Sequence, residues 1–238
     1  MGFDLTTPDS LPPVTKNFTE TTCGAPVRDK SGLYNNLSNA LGSISGAVVA
    51  LRSCSKFLIH SEFGLDDYFI AITLAVGIPS SVLTVHGLTS NGLGRDIWTV
   101  TFEQITDFIR VFYVIEILYF AEVALLKLSL LFFYLRIFPG AKIRKLIWGT
   151  IAFDILFGVV FVFVGIFQCQ PINFYWENWD GEHVGKCFDV NAIGWANAVI
   201  SILLDGWMLA LPISQVVRLN LHWKKKVSVA MMFTVGTL

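Results

Sequence analysis

EILYFAEVALLKLSLLFFYLRIF, the stretch Glu116–Phe138, decides the fold. As a helix it rises far enough to cross the ~30 Å hydrocarbon core of a bilayer, yet Glu116, Glu122 and Lys127 lie within its body. Of the 21 residues from Val114 to Tyr134, 13 are Val, Ile, Leu or Phe. Each contributes roughly −0.3 to −0.6 kcal/mol to insertion, against about +2.5 to +3.5 kcal/mol for a central Asp, Lys or Arg. Insertion of this segment alone is close to neutral, so its ionisable groups require neighbouring helices or a wet cavity, and the helix belongs inside a bundle. At 100° per residue Glu116, Tyr119, Val123, Lys127 and Tyr134 form one stripe, expected to face inward, with Glu122 well off it.

The rest of the chain agrees with a membrane protein. Its 238 residues are 54% hydrophobic and 15% charged, with a mean hydropathy of +0.61. Soluble domains carry nearer a quarter charged residues. A net charge of −1 points to no nucleic-acid partner, and Lys and Arg fall in short clusters between apolar runs. Successive runs place spans at about 37–59, 66–88, 111–135, 146–167 and 191–211, with a partial sixth at 227–238. The fold class is therefore all-α, a polytopic transmembrane helix bundle of five complete helices plus part of a sixth, preceded by a polar arm over 1–36. That arm lacks the apolar run of a secretory signal peptide, and the chain stops twelve residues into the sixth run, too short to span.

Orientation follows from the basic residues. With the loops after the first, third and fifth spans inside, ten Lys and Arg face the cytoplasm, including Arg136, Lys142, Arg144, Lys145, Lys224, Lys225 and Lys226; six fall on the other side. This bias puts the N-terminus outside, with the lipid bilayer as the surrounding partner. Two glycosylation sequons, at Asn17 and Asn36, agree with an outer N-terminus, whereas the Gly2 myristoylation pattern in MGFDLT implies a cytosolic one. Pro79 is expected to kink the second span. The Asp66-Asp67 pair that opens it reads as a helix cap or, alternatively, as metal-ligating carboxylates.

Cys169 and Cys187 flank a large loop on the outer side, where an oxidising compartment favours a disulfide; the alternative is two free thiols. Cys23 has no evident partner, and Cys54, near the cytoplasmic boundary, is either unmodified or palmitoylated. Glu116, Tyr119, Glu122, Lys127, Asp154 and Asp205 are the candidate intramembrane site. Lys127 is expected either to pair with Asp154 or Asp205 and fix packing, or to serve a ligand or ion. Loop aromatics Phe174, Tyr175, Trp176 and Trp179 read as interfacial seating or as ligand contacts. Nucleophile, phosphate-loop, dinucleotide and zinc-protease motifs are absent and the four histidines are dispersed, so neither an enzyme, a cofactor nor a metal is expected.

In order along the chain, TTCGAPVRDKS, FGLDDYFIAI, GLGRDIWTV, LLKLSLLFFYLRIF, CQPINFYW, GKC and DGWMLALPI resemble the fungal rhodopsin-like integral membrane domain, including Pth-type receptor-like proteins that often carry an extracellular CFEM domain. The resemblance runs from about Thr21 to the end of the chain. It implies a seven-helix, N-out, receptor-like protein of the fungal plasma membrane that senses an extracellular ligand, with a G protein as a possible cytoplasmic partner near Arg136. No CFEM segment precedes Thr21 and the seventh helix is missing, which reads as truncation at both ends. The resemblance gives Lys127 no retinal-binding role. Besides the receptor, two other readings stand: a carrier or ion-handling protein using the buried charges, and a non-functional fragment.

Overall fold

The computed structural model describes residues 19, 22–24, 26–58, 64–179 and 183–218. Five long helices alternate in direction: α1 (Ser31–Leu58), α2 (Leu65–Val82), α3 (Phe102–Ile137), α4 (Ala141–Ile166) and α5 (Val190–Arg218). Two short strands, β1 (Cys169–Gln170) and β2 (Lys186–Cys187), form the base of the loop between α4 and α5. One end of the bundle holds that loop and is called the disulfide end; the other holds Arg52, Lys56, Arg136, Lys142, Arg144 and Lys145 and is called the basic end.

Three of these helices, Leu65–Leu88, Ala141–Ile166 and Val190–Gln215, are long and apolar enough to cross a membrane by length and composition. Their outward faces suit a lipid solvent. Trp195, Ile202, Leu203, Leu156 and Phe163 are all exposed, and α1 buries no residue at all. In water such continuous apolar surface would drive association; in a bilayer it is the expected covering.

The core lies between α3, α4 and α5 toward the basic end, where Leu128, Leu131, Tyr134, Ile143, Ile147, Ile151, Met208 and Leu211 pack together. α3 is central because α2 and α4 both pack along it. The approach of α4 is close. At Gly158 an added Cβ would lie 2.6 Å from the Ala124 Cβ, and at Gly165 it would lie 3.2 Å from the Phe120 ring. Small residues at these crossings let the two backbones meet, as is common where no hydrophobic effect drives helices together in lipid.

Several boundaries differ from those expected. α3 starts at Phe102, nine residues before the expected 111, because Thr101 and Gln104 form a reciprocal capping box: the Thr101 hydroxyl accepts from the Gln104 N–H at 3.4 Å and the Gln104 side chain accepts from the Thr101 N–H at 3.0 Å. Residues 102–110 thus form about two and a half turns of helix, not a loop. α1 begins at Ser31, inside the expected arm. After Pro79, which has no N–H to donate, α2 widens into a π-helical turn at Leu83–Leu88, and the Thr89 N–H bonds back to the Thr84 carbonyl at 3.3 Å.

The GLGRD stretch ties α1 to α2 at the disulfide end. Gly92 and Gly94 take φ of +113° and +84°, a region that L side chains rarely enter. Gly94 also lies so close to the start of α1 that a Cβ would sit 2.9 Å from the Ser31 nitrogen. Beyond this turn Arg95 pairs with Asp29 at 3.4 Å and the Asp96 carboxylate accepts from the Arg28 N–H at 2.8 Å. The Thr89 hydroxyl donates to Asn35 of α1 at 2.8 Å.

Candidate functional site

Polar side chains gather at three levels along α3. At the disulfide end, Cys169 and Cys187 are bonded, facing one another across the β1–β2 pair. This hairpin base positions the loop over the bundle, with Phe174 buried against Gly185, where a Cβ would meet the ring at 2.3 Å. The loop then reaches α3 through side chains. The Gln168 amide and the Tyr175 hydroxyl both donate to the Glu116 carboxylate at 3.1 Å. Trp179 donates from its indole to the Thr106 hydroxyl at 3.1 Å and stacks on Phe102, while Arg110 lies over the Trp176 ring. Burial first, and then the adjacent Glu116 carboxylate, push the Tyr175 phenol well above the usual tyrosine range, so it remains a hydrogen-bond donor.

At the middle level Lys127 of α3 pairs with Asp205 of α5, and its ammonium also donates to the Ser201 carbonyl at 3.4 Å. The Lys127 side chain is 6% exposed and that of Asp205 is 46%. Asp154 of α4 is 0% exposed. Among the described residues neither of its carboxylate oxygens has a hydrogen-bond partner, and it lies within Coulombic reach of both Lys127 and Asp205. One turn away Trp207 of α5 donates to the Thr150 hydroxyl of α4 at 3.0 Å.

At the basic end two carboxylates meet three cations. Asp66, 2% exposed, accepts from Arg52 at 2.7 Å, and Asp67 accepts from Lys56 at 2.5 Å. Arg136, in the last turn of α3, stands 3.7 Å from Asp66 and 4.0 Å from Asp67. Asp67 also accepts the Gly64 N–H at 3.0 Å, which is the capping role expected of the pair. The Asp66 backbone carbonyl accepts from Ser129 of α3 at 3.1 Å. Helices α1, α2 and α3 are thus joined where the sequence suggested a cap or metal-ligating carboxylates and a set of anchors.

The expected inward stripe on α3 is therefore only partly a buried one. Lys127 and Tyr134 are buried and Glu116 is taken by the loop, but Tyr119 is exposed. The correction follows from the neighbours: α2 and α4 cover two separate faces of α3, leaving Tyr119 uncovered among the described residues. Glu122 faces α2, near Gly77. Asn36 lies exposed within α1, and Cys23 and Cys54 are exposed free thiols. Lys142, Arg144 and Lys145 are exposed on the first turns of α4. Asn17, Lys224, Lys225, Lys226 and the run 227–238 lie outside the described residues. Among the described residues, no three His, Cys, Asp or Glu side chains converge as a metal site would require.

Sequence reasoning missed Gln168 and Tyr175 as partners of Glu116, and Arg52 and Lys56 as partners of Asp66 and Asp67. The helix-end charges carried a signal, since unlike charges at two successive span ends on one side of the membrane are neighbours.

A model of the fungal rhodopsin domain matches residues 51–238. The chain belongs to the fungal rhodopsin domain family. It is similar to a SAT4 family membrane protein of Emericella nidulans, 29% identical over 163 residues, covering 66% of this chain and 41% of the relative. It is also similar to the wortmanamides biosynthesis cluster protein C of Talaromyces wortmannii, 25% identical over 79% of this chain and 52% of the relative. A third relative, the polyenoic acids biosynthesis gene cluster protein Ba17b of Metarhizium anisopliae, is 22% identical over 80% of this chain and 52% of its own length. The chain thus spans about half the length of the curated relatives it matches. No solved structure matches it. As a fungal rhodopsin domain it is an integral membrane protein, and of the motifs quoted from its sequence, GLDD lies at the basic end, LLKLSLLFFYLRIF runs from the middle level to Arg136, and CQPINFYW with GKC lies in the disulfide loop.

Proposed function

We propose that this fungal rhodopsin domain is a receptor-like, non-enzymatic membrane protein of the plasma membrane, with its disulfide end outside. In this reading an extracellular ligand meets the loop between α4 and α5, and α3 carries the change to the basic end, where a cytoplasmic partner such as a G protein reads it. One observation supports this most directly. A single unbroken helix, α3, holds the disulfide loop through Glu116, α5 through Lys127 and the Asp66–Asp67 cluster through Arg136. A shift of the loop that moves Glu116 is then felt at both lower levels, because a helix transmits axial and rotational displacement as a rigid element.

The test uses the full chain with Cys23→Ser and Cys54→Ser, a spin label at Lys142→Cys, and reconstitution in vesicles. Glu116→Gln removes the acceptor charge of the loop contact. A changed label spectrum at the basic end is expected, and an unchanged one contradicts the reading. A second reading, a carrier or ion-handling protein, is favoured by Asp154, since a buried carboxylate without a donor is where a cation or proton in transit would dwell. It takes over if the same vesicles show proton uptake that Asp154→Asn abolishes.

A further inference from the structure

A cleft of about 330 Å³ opens at the basic end between the last turns of α3, the first turns of α4 and the start of α2. Its walls change character with depth. Arg136 and Arg144 stand at the mouth, while Phe132 and Trp148, each about one helical turn further into the bundle than the nearer arginine on its own helix, form an edge-to-face pair at 6.2 Å, beside Leu135 and Leu65. Among the described residues the Arg144 side chain makes no ion pair, whereas Arg136 keeps its long contacts to Asp66 and Asp67. Among the described residues that line the cleft, the charged side chains are those of Arg136, Arg144 and Asp66.

We propose that this cleft binds an anionic phospholipid from the leaflet at the basic end. The phosphate meets the guanidinium groups of Arg144 and Arg136, which offer planar paired donors suited to phosphate oxygens. The glycerol and the first acyl carbons lie along Phe132, Leu135 and Trp148. Charge complementarity selects the headgroup, and the apolar depth selects a lipid over a free anion. Trp148, half exposed on a helix of a membrane bundle, sits where interfacial aromatic side chains meet headgroups.

The test is native mass spectrometry of the intact chain released from vesicles of phosphatidylcholine containing phosphatidic acid. Retained phosphatidic acid is expected on the wild type, falling at least about fivefold in Arg144→Gln. Lys142→Gln, a neighbour outside the cleft, is expected to leave retention within about twofold. Thermal midpoints of both variants in a neutral detergent identify any loss of fold, and Trp148→Leu, which keeps the charge and removes the ring, provides a second variant expected to weaken retention. Equal losses in Lys142→Gln and Arg144→Gln would reduce the effect to diffuse attraction and overturn the proposal. Displacement of the lipid by inorganic phosphate at equal concentration would reassign the cleft to a free anion. Indifference to phosphatidic acid together with binding of a polyglutamate peptide would reassign it to an acidic protein segment.

Discussion

Lys127 is the residue on which the interior balances. Asp205 accepts its proton donors directly and Asp154 lies within reach on another helix. Removing the lysine leaves two carboxylates without a cation, and breaking this half-exposed pair costs less than the about 3–5 kcal/mol of a fully buried one. Removing Asp205 instead leaves Lys127 with Asp154 to turn to. We therefore expect Lys127→Met to lower the thermal midpoint in detergent much more than Asp205→Asn does, and the triple change with Asp154→Asn and Asp205→Asn to recover most of the loss. Equal losses from the two single changes would contradict this arrangement. The sequence already identified the three residues as candidates and left open which carboxylate takes the lysine. That choice depends on the rotation of α4 and α5 about their axes, which hydrophobic periodicity along one chain does not encode. Glu116 was legible as an outer-end charge, but its partners were not, since Gln168 and Tyr175 reach it only after the Cys169–Cys187 hairpin has folded the loop back over the bundle.

Helices were legible as apolar runs, and their ends were not. The capping box of Thr101 and Gln104 fits a general sequence pattern, yet the polar residues that follow it favoured a loop, because the run of apolar residues begins only near 111. The π turn after Pro79 is equally a matter of backbone bonding and not of composition. Packing between elements shows the same limit. Gly158 and Gly149 are indistinguishable within the apolar run of α4, but one meets Ala124 at 2.6 Å and the other has nothing within 4 Å. Gly158→Ala is expected to cost about 1–3 kcal/mol by forcing α3 and α4 apart, read as a lower thermal midpoint, while Gly149→Ala leaves the midpoint unchanged or raises it through helix propensity. A neutral Gly158→Ala would show that the two helices do not pack this closely.

Across the whole molecule, charge asymmetry orders the bundle. Six described cations, Arg52, Lys56, Arg136, Lys142, Arg144 and Lys145, collect at one end, and the disulfide loop lies at the other. This separation agrees with the positive-inside pattern legible in the sequence, because both depend on the same alternation of span direction. A receptor-like role that meets its ligand at the disulfide loop requires that end to face outward. The measurement that tests this most directly is labelling of intact cells with a membrane-impermeant maleimide, using Val184→Cys in the loop, where the side chain is 95% exposed, and Lys142→Cys at the basic end, each in the Cys23→Ser, Cys54→Ser background. Labelling at position 184 before permeabilisation, and at position 142 only after it, is the expected result. Labelling at 142 in intact cells with 184 protected would place the basic end outside and contradict the direction of sensing.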